Sequence, residues 1–230
     1  MPLHVAEHGP SDASTIVLLH GGGGAGWMWR PQVEALSGDY HLLVPDLPEQ
    51  GESTDAGPFS MASAAEQVAA LVCERAHGGR AYVVGLSEGA QVALQLLATA
   101  PEVVDRAVLS SALVRALPGG GLTNETVLRW SYRTSIAPLR NVGWWIRWNM
   151  HGAAGVPDAY YDDFATTFRT LTESGWVNLM RANQTFRLPE GLAGATSPTL
   201  VVVGEHEYAA MKGSAADIAT ALPNAKACEV

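Results

Sequence analysis

Cysteine, basic residues and long apolar runs are all scarce in this sequence, and each scarcity narrows the function. Two cysteines, Cys73 and Cys228, are too few for a disulfide framework, so a reducing, cytoplasmic setting is expected. Fourteen basic residues stand against 23 acidic ones with no Lys/Arg cluster, which opposes the electrostatics of holding a phosphate backbone, so no nucleic-acid partner is expected. No apolar run is long enough to cross a bilayer, and Met1-Pro2-Leu3-His4 lacks the basic start of a signal peptide, so no membrane partner is expected either. Histidine is absent after His206, an absence that matters below.

What the chain does contain is a set of short, almost uninterrupted apolar runs: Ile16-Leu19, Leu42-Val44, Tyr82-Val84, Ala107-Leu109 and Leu200-Val203. Continuous rather than alternating runs predict strands buried on both faces of a parallel sheet. Helical spacing fills the gaps, as in Ala65, Val68, Ala69 and Val72, or Ala90, Ala93, Leu94 and Leu97, with Pro101 placed where the second helix has already stopped. Ser63 and Glu66 are spaced as a capping box, and Ser60 is an equal candidate for the cap. The reading is α/β, a mostly parallel sheet with helices on both faces. Between about Leu113 and Ser197 the strand pattern breaks off, and Trp130, Trp144, Trp145, Trp148 and Trp176 supply five of the seven tryptophans. This stretch is predicted to be a helical insertion, either with its own core or as an apolar wall over a pocket. Residues 1–112 and 198–230 would form the core and 113–197 the insertion, in a single structural domain.

Gly85-Leu86-Ser87-Glu88-Gly89 directly follows the run Tyr82-Val84 and opens a helix, the strand-turn-helix context that a nucleophile elbow requires. A serine on so tight a turn needs positions two before and two after it nearly free of side chain, and Gly85 and Gly89 meet that need. The competing reading makes Ser87 a plain helix cap. His20-Gly21-Gly22-Gly23-Gly24-Ala25-Gly26 follows the first strong strand and also allows two readings. Gly21, Gly23 and Gly26 spell G-x-G-x-x-G, with Asp46 at the distance of a ribose-binding acid. Against a dinucleotide, Trp27 and Trp29 crowd the place of the pyrophosphate, and both are candidates for lining a substrate pocket. As an oxyanion hole, the loop would offer the N–H of Gly22 beside that of Glu88. His20 would order this loop by hydrogen bonding.

Through His20-Gly21, Trp27-Met28-Trp29, Val44-Pro45-Asp46-Leu47-Pro48, Gly51-Glu52-Ser53 and the Ser87 pentapeptide, the chain resembles the α/β-hydrolase superfamily along essentially its whole length. It departs at Glu49-Gln50, where relatives tend to carry Gly-His. The resemblance implies a cap inserted after the sixth strand of the family's sheet, and an acid in the loop after the strand that follows the cap. Glu207 matches that acid, with Glu205 in reserve; a metal site at Glu205-His206-Glu207 is disfavoured because adjacent residues of extended chain point apart. Chain order then places the base beyond Glu207, where this sequence has no histidine. The expectation is that the base lies past Val230; a base from elsewhere, such as His151, and a catalytically dead relative remain open. The expected activity is a serine hydrolase, monomeric or dimeric, that cleaves a small, fairly apolar ester or lactone through an acyl-enzyme without metal or organic cofactor. A non-catalytic ligand binder, a carbon–carbon bond hydrolase and a cofactor-free haloperoxidase are the alternatives.

Overall fold

A computed structural model describes residues 2–117, 123–152 and 155–230; Met1, 118–122 and 153–154 of the two predicted spans lie outside the described residues. Seven strands form one sheet in the order β1-β3-β2-β4-β5-β6-β7. These are β1 (Val5–His8), β2 (Thr15–Leu19), β3 (His41–Pro45), β4 (Ala81–Leu86), β5 (Val104–Ser110), β6 (Thr199–Val203) and β7 (Ala225–Glu229). All neighbours pair in parallel except β1 with β3. The five apolar runs sit inside β2 to β6, and all five residues of β2 and of β3 are buried, as a central parallel sheet requires.

Between the strands run α1 (Arg30–Leu36), α2 (Met61–Arg75), α3 (Glu88–Thr99) and, near the C-terminus, α8 (Ala209–Ala221). Helices α2, α3 and α8 share one continuous core with the sheet: Val68 and Val72 of α2, Leu94 and Leu97 of α3 and Ile218 of α8 pack with Val17, Val83, Leu109 and Val201. The opposite face is covered by α1, where Val33 and Leu36 meet Ile16, Leu18, Leu42 and Val44. Ser60, not Ser63, caps α2, its hydroxyl accepting from the Ser63 N–H at 3.1 Å.

Five strands, not six, precede the helical segment in this chain: β1 is the sheet edge, and no strand comes before it among the described residues. The segment contains α4 (Glu125–Ser131), which runs into a π-helical turn at Tyr132–Ile136, then α5 (Gly143–Gly152), α6 (Tyr161–Thr170) and α7 (Glu173–Thr185). It has its own core, in which Tyr132, Ile136, Ile146, Met150, Phe164 and Phe168 are buried together. Residues flanking it, Ala112, Val114, Phe186, Leu192 and Ala195, belong instead to the main core. Among the described residues no helix is long and apolar enough to cross a membrane.

Candidate active site

Ser87 joins β4 to α3 with φ 53° and ψ −112°, a conformation that an L-residue adopts only when its surroundings impose it, at about 1–3 kcal/mol. The imposition is visible. Its N–H donates to Ser110 O at 2.8 Å, and its carbonyl accepts from Ala90 N at 3.0 Å and Gln91 N at 3.1 Å. A Cβ at Gly89 would lie 2.6 Å from the His20 carbonyl oxygen and closer still to that of Leu19. One at Gly85 would stand 2.6 Å from Ala90 Cα. The two flanking glycines are therefore steric requirements of this turn. The Ser87 side chain makes no capping hydrogen bond, so the hydroxyl is free of the role that the plainer reading gave it.

The glycine loop folds back over the elbow. Gly24 N–H donates to Gly21 O at 3.0 Å, and a Cβ on Gly21 would come within 3.8 Å of Ser87 Cβ. Gly22 N–H makes no hydrogen bond among the described residues, while Gly23 N–H donates to Gln50 Oε1 at 2.7 Å. Glu88, as the first residue of α3, has an N–H without an intrahelical acceptor. His20 is fully buried beneath, with Nδ1 2.8 Å from Gly21 O and Nε2 accepting from Leu47 N at 2.9 Å. Burial holds its pKa below the ordinary histidine value, which keeps the ring neutral and in the loop-ordering role. The carboxylate of Asp46 is engaged by the N–H groups of Gly26 at 2.7 Å and Glu52 at 2.8 Å, which leaves the dinucleotide reading without its ribose ligand.

Ser87 opens into a cavity of about 340 Å³. Gly21 to Gly24, Trp27, Met28 and Leu86 form its floor, and Asn149, Val156, Phe164 and Trp176 of the helical segment form its roof. Trp27 is a lining residue; Trp29 is not, because it packs under the sheet with Ile16, Leu18, Leu42 and Val44. Two residues apart on a 3-10 turn (Gly26–Trp29), the two indoles face different sides. Of the five tryptophans in the helical segment only Trp176 lines the cavity, and Trp130, Trp144 and Trp148 are exposed. Asn149, Val156 and Phe164 carried no signal in the sequence, and Met28 entered only as part of the Trp27-Met28-Trp29 segment. The roof is fastened to the floor by Trp27 Nε1 to Thr167 Oγ1 at 3.0 Å, Arg30 to Asp163 at 2.9 Å and Asn178 Nδ2 to Glu49 Oε2 at 2.8 Å.

Glu207 follows β6 and is set in place by two donors, Ser111 Oγ at 2.7 Å and Gly204 N–H at 2.9 Å. Ser111 is the neighbour of the residue that receives the Ser87 N–H, so the acid and the serine share one support at the end of β5. Glu205 is exposed and pairs with the exposed His206 at 3.2 Å, without a comparable support. None of the seven histidines lines the cavity. His151 turns to Asp158 at 3.3 Å.

This fold and this elbow define a class, and comparison with known proteins gives the same one: the model of the alpha/beta hydrolase fold matches residues 14–230. The chain belongs to that family. Its relatives include the protein named putative carbamate hydrolase RutD of Serratia proteamaculans, 36% identical over 99 residues, which are 42% of this chain and 37% of that protein. Another is the pimeloyl-[acyl-carrier protein] methyl ester esterase of Aeromonas hydrophila, 40% identical over 89 residues, 38% of this chain and 33% of that protein. The chain thus spans about a third to a half of the length of the curated relatives it matches. The enol-lactonase of Burkholderia xenovorans LB400 superimposes with a TM-score of 0.77 over 99% of this chain and 87% of its own, and at 23% identity it supports the fold alone.

Proposed function

We propose that this protein is a serine hydrolase cleaving a small, fairly apolar carboxylic ester or lactone through an acyl-enzyme on Ser87. The observation that carries the reading is the strained Ser87 backbone at the floor of an apolar cavity, with its hydroxyl making no capping hydrogen bond to α3. In this mechanism Ser87 Oγ attacks the substrate carbonyl carbon and its proton passes to an imidazole held by Glu207. The N–H groups of Gly22 and Glu88 receive the developing oxyanion. Collapse of the tetrahedral species expels the alcohol with that proton, and water then releases the acid by the reverse sequence. The relatives' names, a carbamate hydrolase and a methyl ester esterase, support chemistry at an acyl carbon.

The imidazole is the part that the described residues do not supply. Val230 O accepts from Glu205 N at 2.8 Å, so the end of β7 lies against the loop that carries Glu207. The helical segment serves as the cap that closes the apolar cavity over the substrate. Cytoplasmic placement belongs to the same proposal and is supported by the unpaired state of Cys73 and Cys228. A second reading, a ligand binder without turnover, is favoured by the lack of a histidine at the cavity among the described residues. Mass spectrometry of the full-length protein quenched during turnover of short-chain aryl esters separates the two. An acyl adduct on Ser87 and steady alcohol release support hydrolysis; saturable binding without adduct or product supports the ligand binder.

A further inference from the structure

The departure at Glu49-Gln50 and the buried side chain of Glu88 are used by none of the steps above, and the structure brings Gln50 and Glu88 together. Glu88 has no solvent exposure, and Gln50 has 3%. Gln50 Oε1 accepts from Gly23 N–H at 2.7 Å, and Gln50 Nε2 donates to Glu88 Oε1 at 2.7 Å. The other carboxyl oxygen, Oε2, has no partner among the described residues. A Cβ built on Gly22 would lie 3.1 Å from that oxygen and 3.3 Å from the carboxyl carbon, so the acid rests directly against the Gly22 peptide. The direction of the chain is fixed by valence. Gly23 N–H can only donate, so the amide must turn its oxygen to Gly23 and its NH₂ to Glu88, and Oε1 must accept.

We propose that Gln50 and Glu88 form a buried buttress that positions the Gly22–Gly23 peptide for the oxyanion, and that Glu88 acts there as a neutral carboxylic acid. Among the described residues no positively charged group acts on the Glu88 carboxyl, whose titration is shifted only by burial and by the Gln50 hydrogen bond. His20, at the end of β2, has both ring nitrogens engaged and is kept neutral by burial. Asp46 is held by Gly26 and Glu52, Glu49 by Phe59 and Asn178, and Glu207 by Ser111 and Gly204. Burial accordingly pushes the Glu88 carboxyl up to about 8, against the smaller opposite pull of Gln50. Ionisation would set a negative charge behind the peptide whose N–H must receive a second one. Gln50 and Glu88 are thus positioning residues acting through Gly22 and Gly23.

The catalytic consequence rests on the reading of Ser87 as nucleophile; the buttress itself does not, and the test keeps them apart. In the full-length protein the amide resonances of Gly22 and Gly23 should shift together as pH is raised, with a midpoint near 8. In Glu88→Gln neither should titrate, and in Gln50→Leu the Gly23 resonance should lose its response. Glycine amides that stay flat in the wild type, or that move equally in Glu88→Gln, would overturn the proposal. With an ester substrate, wild-type kcat should decline through the same midpoint about tenfold per pH unit at nearly constant KM, and the Glu88→Gln profile should lack that limb. A protein that turns over no ester but still shows the glycine titration would count against the hydrolase reading and for the buttress.

Discussion

Replacing Gly89 with alanine adds one carbon where the structure has no room for it. The added methyl would stand 2.6 Å from His20 O and nearer to Leu19 O, whereas ordinary carbon–oxygen contact begins about 1 Å further out. Both obstacles are backbone at the end of β2, so no rotamer change relieves the clash; α3 must back away from the sheet or the glycine loop must lift. Overpacking of this kind typically destabilises by about 1–3 kcal/mol. At about 2–4 °C per kcal/mol for a chain of this size, the melting temperature should fall by about 2–12 °C. A displacement near 1 Å at the Ser87 turn should also slow ester turnover by about 100-fold. Gly152→Ala is the matched control: no described residue lies within 4 Å of its added Cβ, and it sits in the last turn of α5. It should be neutral or stabilising by up to about 1 kcal/mol. The assay is calorimetry with aryl ester kinetics on both variants, and a Gly89→Ala protein matching the control in both would refute the steric account of the elbow.

Glu88 makes stability fall with pH, because its carboxyl is neutral in the fold up to about 8 but ionises near 4.5 when unfolded. The folded state therefore holds the extra proton between those values, and up to about 5 kcal/mol is lost across that window. Denaturation at a series of pH values should show the wild type losing ground to Glu88→Gln from mildly acidic to alkaline conditions; parallel curves would contradict this. Glu207→Gln should lower kcat by on the order of 10³–10⁴-fold, since in the proposed mechanism it removes the charge that orients the base, while Glu205→Gln should leave kcat within about twofold. The reverse ranking in ester kinetics would move the acid to Glu205. Trp27→Phe removes the 3.0 Å bond to Thr167 and should cost about 1 kcal/mol, read as a melting shift of about 2–4 °C, with a raised KM as the roof loosens.

The parts legible in the sequence are those with a local physical signature. Continuous apolar runs located β2 to β6, and paired glycines around Ser87 located the turn because only a residue without Cβ fits there. β1 has no such signature because Val5-Ala6-Glu7-His8 is a short, half-exposed edge strand. The roof of the cavity was legible only as a tryptophan-rich stretch. Which of its side chains face Ser87 depends on how four helices fold back, and the answer, Asn149, Val156, Phe164 and Trp176, has no periodicity of its own. The pairing of Gln50 with Glu88 spans 38 positions, so the odd Glu49-Gln50 dipeptide could be seen but not interpreted.

The proposed hydrolase mechanism requires Ser87 to be an activated nucleophile. Its most direct test is reaction of the full-length protein with a fluorophosphonate, followed by peptide mass mapping of wild type and Ser87→Ala. A single stoichiometric adduct on Ser87 that vanishes in the variant is the expected result. An unlabelled wild-type protein, or labelling that persists in Ser87→Ala, would contradict it.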